Sequence, residues 1–70
     1  MKFMLIVYAC SVVYGACGEG IQDLELYDTH KKCALAGYET SMEAINILEE
    51  SLVNKEKIFF KFSCLFTSST

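Results

Sequence analysis

The residues best suited to chemistry in this 70-residue chain are four cysteines, Cys10, Cys17, Cys33 and Cys64, and one histidine, His30. His30-x-x-Cys33 has a metal-like spacing on a helix. Zinc would need two more ligands, and only Cys64 and carboxylates remain to supply them. The expectation is an exposed histidine beside a disulfide cysteine, with no metal. Asp28, His30 and a serine from the tail compose a triad on paper, but no nucleophile elbow or oxyanion loop accompanies them. Gly18-Glu19-Gly20 lacks the strand–turn–helix setting of a phosphate loop, and neither Asn46-Ile47-Leu48 nor Asn54-Lys55-Glu56 is a glycosylation sequon. The chain reads as a non-enzyme with no cofactor.

The cysteines point instead to disulfides and hence to export. The start of the chain agrees. Lys2 is a short basic opening, and the run Phe3 to Ala9, extended by Val12, Val13 and Tyr14, is apolar. It suits a signal-peptide core and is too short to span a bilayer as a helix, which takes about 20 residues. Small residues follow at Gly15, Ala16, Cys17 and Gly18. Cleavage after Gly15 leaves three thiols. Cleavage after Gly18 leaves Cys33 and Cys64, which can pair. The expectation is a signal peptide over residues 1–18 and a secreted domain over residues 19–70.

Removal of that segment discards Lys2 and no acid, so the mature chain is more acidic than the whole sequence, whose net charge is −3. Without arginine or a basic stripe, nucleic acid is excluded as a partner. An anionic membrane surface is equally unfavourable. Size is the harder constraint. For about fifty residues, apolar burial contributes on the order of 75 kcal/mol as an upper bound, and ordering the chain costs about as much. A covalent staple of about 3.5 kcal/mol therefore matters.

The elements that would position these residues read as helices. The first spans about Ile21 to Ala36, with Gly37 as its stop. The second begins at Thr40, where Thr40-Ser41-Met42-Glu43 has the capping-box form, and presents Met42, Ile45, Leu48 and Leu52 on one face. Glu43, Glu49 and Glu50 read as its solvated side. Asn54 would cap a third helix containing Ile58, Phe59, Phe60, Phe62, Leu65 and Phe66, apolar on nearly every side. A strand is the alternative for that run, since phenylalanine favours sheets. It lacks period-two alternation, however, and no second strand is visible. The tail, Thr67-Ser68-Ser69-Thr70, is polar. The fold class expected is all-α, about three helices stapled by one disulfide.

His30-Lys31-Lys32-Cys33, the turn Gly37-Tyr38-Glu39-Thr40, the helix Met42 to Leu52 and the run Phe60-Lys61-Phe62-Ser63-Cys64-Leu65-Phe66 together resemble the N-terminal half of an insect odorant-binding protein. In that family one cysteine closes the opening helix, and a C-x-x-x-C pair follows on the third. Cys33 and Cys64 match the first cysteine and the second member of the pair, while Phe60 replaces the other member, as in the so-called minus-C members. The resemblance implies a Cys33–Cys64 bond. It covers about Leu24 to Phe66, half of a six-helix domain, so the chain would be a truncated form.

The function implied is that of a secreted carrier of small hydrophobic ligands, of reduced competence, with Leu48, Leu52, Phe59, Phe62 and Phe66 as ligand contacts. The alternative is a small secreted effector or toxin-like peptide acting on a protein or membrane. The expected partners are small apolar molecules and, through the third helix, a second copy of the chain. No transmembrane segment is expected in the mature chain.

Overall fold

A computed structural model describes residues 2–67. The elements in chain order are β1 (Lys2–Ser11), β2 (Ala16–Cys17), β3 (Ile21–Tyr27), α1 (His30–Ile47), α2 (Glu50–Glu56) and β4 (Ile58–Thr67). The strands form one antiparallel sheet with β1 at its centre. β4 lies along the whole of β1, from Lys2 opposite Thr67 to Ser11 opposite Ile58. β2 and β3 share the other side, β2 opposite Cys10 and Ser11, β3 opposite the stretch from Phe3 to Val7. The molecule is elongated, 42 × 20 × 17 Å.

This is a mixed α/β fold, and it corrects the all-α expectation. The described residues contain two helices, not three. The segment expected to form the third helix is β4, and the front of the expected first helix, Ile21–Tyr27, is β3. The physical reason is the partner strand. An all-apolar helix needs cover on every side. As a strand, the same residues pair their backbone with β1 and need cover only on their faces. That partner lies within residues 1–18, the expected signal peptide, whose removal would take the sheet's central strand away. The odorant-binding resemblance required a helix through Phe60 to Phe66, and the strand there removes its structural basis. Self-association through a third helix falls for the same reason.

The helix boundaries are corrected too. Thr29 caps α1, its hydroxyl accepting from the Lys32 N–H at 3.1 Å. The helix then runs through both the expected stop at Gly37 and the expected start at Thr40. Gly37 is buried against Phe62, and a Cβ at Gly37 would overlap that ring. Glycine here permits close helix–sheet approach instead of ending the helix. Asn54 lies inside α2, whose C-cap Lys57 takes the left-handed conformation at φ 52° and turns the chain into β4.

The core sits where α1 crosses β1 and β4. Leu5 and Cys33 are fully buried there, while Cys10, nearly buried too, lies at the far end of β1, bonded to Cys17. Leu5 stands opposite Cys64, which is bonded to Cys33 of α1. Strand alternation puts Phe3, Val7, Phe62 and Phe66 on the same face as Leu5 and Cys64. Phe3 meets His30 edge-on at 5.7 Å and Phe62 meets Tyr38 at 4.9 Å, so this is the helix-covered face. Met4, Ile6, Tyr8, Phe59, Lys61 and Leu65 take the opposite face, where the Lys61 ammonium lies 5.7 Å from the Tyr8 ring centre.

Residues 1–18 therefore contain β1 and β2. A chain beginning at Glu19 lacks the strand to which both β3 and β4 are bonded. All four cysteines are paired, Cys10 with Cys17 and Cys33 with Cys64, so an even thiol count holds for the full chain as well. Among the described residues no helix is long and apolar enough to cross a membrane. The tail residues Ser68, Ser69 and Thr70 lie outside the described residues, and with them the serine of the paper triad.

Candidate functional site

Two neighbouring cavities open between the sheet and its helices. The first, of about 520 Å³, lies beside α2. Leu48 at the C-cap of α1 and Leu52 of α2 form part of its lining. Ile58 and Phe60 of β4, Ala9 of β1 and Tyr14 and Ala16 of the β1–β2 hairpin complete most of the rest. Hydrogen bonds hold this end together. The Ser11 hydroxyl donates to the Glu56 carbonyl at 2.6 Å, and the Val12 N–H donates to the Lys57 carbonyl at 3.1 Å. The α2–β4 turn is thereby tied to the end of β1. The cavity's walls are mainly apolar and its volume is in the range of small-molecule sites, but it is a groove broadly open to solvent, with Ala9, Tyr14, Ala16 and Leu52 exposed.

The second cavity, of about 380 Å³, lies under the middle of α1 and is the more enclosed. Its apolar lining comes from Val7, Ala9, Ile21, Ala44 and Phe60, and its polar lining from Glu19, Asp23 and Thr40. Asp23 is held there by an irregularity in β3. Met4 pairs with Leu26 and Ile6 with Gln22, so three residues, Asp23, Leu24 and Glu25, oppose Leu5 alone. Bulges of this kind re-aim side chains. The Asp23 carboxylate accepts the Glu25 N–H at 3.0 Å and the Tyr27 hydroxyl at 2.8 Å. Those bonds fix its position, and the hydrogen bond to Asp23, followed by burial, pushes the Tyr27 pKa up to about 12. At the far end of the sheet Lys2 donates to Asp28 and holds that carboxyl below its usual range.

The residues expected to contact a ligand are not brought together. Leu48 and Leu52 share the first cavity. Phe62 packs on Gly37 and Tyr38 under α1. Phe66 meets Phe3 edge-on at 5.2 Å and is otherwise exposed. Phe59 is exposed and lines smaller clefts, one with Met42 and Ile45, the other with Cys17. The disulfide of Cys33 and Cys64 bridges α1 to β4 with Cα atoms 6.1 Å apart, and it lines neither cavity.

The residues missed are Ala9, Phe60, Glu19, Asp23 and Thr40. Ala9 and Phe60 are directly paired and line both cavities. The signal for them was the match in length between two apolar runs, residues 2–11 and 58–67, each able to serve as the other's strand partner. No signal in the local sequence marks Asp23, whose position depends on the bulge. His30 begins α1 and is exposed; among the described residues no three His, Cys, Asp or Glu side chains gather as a metal site. No protein-family model matches the chain, and neither a curated protein nor a solved structure matches it.

Proposed function

We propose that the folded chain carries small apolar molecules in an oxidising compartment, with residues 2–11 kept as the central strand. The observation that supports this most is the apolar cavity of about 520 Å³ beside α2. Binding there would be driven by removal of apolar ligand surface from water. Two disulfides favour an exported product, since such bonds persist outside reducing compartments. The reading needs Ala9, so it stands on the chain that retains its first eighteen residues.

The test is a titration of the oxidised full-length chain with the fluorescent apolar probe N-phenyl-1-naphthylamine. One saturable site of micromolar affinity is expected. Leu52→Asp, a change at an exposed helix position, should weaken it tenfold or more by placing a charge at the apolar wall. Absence of saturation, or full binding by the folded Leu52→Asp variant, would remove the reading.

A second reading, a small effector that acts on a protein, is favoured by the face that the helices leave open. Leu24, Leu26, Phe59 and Leu65 are exposed there or along its edge. Leu26 and Leu65 flank Met4 in one row across the sheet, and exposed apolar surface of this sort marks association sites. Under that reading the probe finds no saturable site, and substitutions at Phe59 and Leu65 alter activity on the target without altering the fold.

A further inference from the structure

We propose that the cavity under α1 is a second ligand site, selective for a protonated amine carried on a compact apolar body. The site is distinct from the cavity beside α2, although Ala9 and Phe60 form a wall common to both.

The inference starts from charge. Val7, Ala44 and Phe60 form an apolar floor, exposed Ile21 stands at the mouth, and the lining of the cavity includes two carboxylates, half-buried Asp23 and exposed Glu19, and the hydroxyl of Thr40. No lysine lines it. An apolar molecule alone would cover the half-buried Asp23 carboxylate without a counter-ion, at a cost in desolvation. An anionic ligand would add repulsion. An ammonium group answers both carboxylates and can also donate to Thr40, while its hydrocarbon part fills the apolar remainder.

Geometry supports the same assignment. The Asp23 carboxylate accepts one hydrogen bond at each oxygen, from the Glu25 N–H and the Tyr27 hydroxyl. A carboxylate has roughly four acceptor positions, so about two remain for a ligand. The group is thus positioned before any ligand arrives, which lowers the ordering cost of binding. The bulge in β3 is what brings Asp23 to this position.

The experiment titrates the oxidised full-length chain with phenethylamine, 2-phenylethanol and 3-phenylpropanoate by calorimetry. The amine is expected to bind at least tenfold more tightly than the alcohol, and the carboxylate more weakly than both. Asp23→Asn and Glu19→Gln should each narrow the preference for amine over alcohol toward parity. Ala44→Phe should fill the cavity and abolish amine binding while leaving N-phenyl-1-naphthylamine binding beside α2 intact. That last comparison separates the two sites: loss of the naphthylamine signal alone sinks the carrier reading, and loss of amine selectivity alone sinks this one. Equal affinity for amine and alcohol overturns the proposal. So does amine binding that survives both carboxylate substitutions in chains with unchanged circular dichroism.

Discussion

Ala9 and Phe60 stand directly opposite each other on β1 and β4 and together form the wall between the two cavities. One residue of this pair belongs to the segment that reads as a signal peptide, the other to the segment that reads as a helix. Enlarging the smaller member should therefore disturb both sites at once. Ala9→Phe is expected to lower affinity for the naphthylamine probe and for phenethylamine by tenfold or more each. Phe60→Ala should instead cost stability, on the order of 2 kcal/mol for a half-buried phenylalanine, less than the ~3–5 of full burial. Urea unfolding beside both titrations measures the two effects.

The central strand and a cleavable leader are mutually exclusive fates for residues 2–11. Without β1, neither β3 nor β4 has a hydrogen-bonded neighbour in the sheet. A chain produced from Glu19 onward should lose most of its far-UV strand signal and its cooperative unfolding. N-terminal sequencing of secreted material decides which fate applies. A product beginning at Glu19 would dismantle both cavities.

The two disulfides should differ in their contribution. Cys33 and Cys64 are separated by 31 residues, Cys10 and Cys17 by 7. Chain-entropy scaling assigns about 3.5 kcal/mol to the longer loop and about 2.5 to the shorter. The Cys33→Ser/Cys64→Ser chain should thus unfold at lower urea than Cys10→Ser/Cys17→Ser. The opposite order would mean that native contacts outweigh loop closure.

Gly37 and Phe62 form a coupled pair. Gly37→Leu should cost about 1–3 kcal/mol by overpacking against the Phe62 ring. Phe62→Ala made in the same chain should recover part of that loss, and a double-mutant cycle measures the coupling.

Tyr27 gives the fold an alkaline limit. Its pKa is about 12 in the folded chain against an ordinary 10.0, so the folded state keeps a proton that the unfolded state releases. The stabilisation is complete below pH 10 and is lost as the pH climbs from 10 to 12. Tyr27 is half-exposed, and screening keeps the amplitude small. Asp23→Asn, which removes the main cause, should flatten this part of the profile relative to the parent chain.

Some of this protein could be read without its fold. The helical character of residues 42–47, the apolar character of both chain ends and the pairing capacity of Cys33 and Cys64 follow from residue type and spacing, because short-range periodicity and thiol number are local properties. The state of residues 58–67 could not be read this way. A short apolar run satisfies a buried helix and a buried strand equally, and only a partner decides between them. Here the partner is β1, more than forty residues earlier in the chain, in a segment whose composition also suits a signal peptide. Tertiary contact likewise carried α1 past Gly37, since the glycine is held against Phe62. Asp23 reached its cavity through a bulge opposite Leu5, a register shift that exists only between two strands and leaves no mark on either one alone.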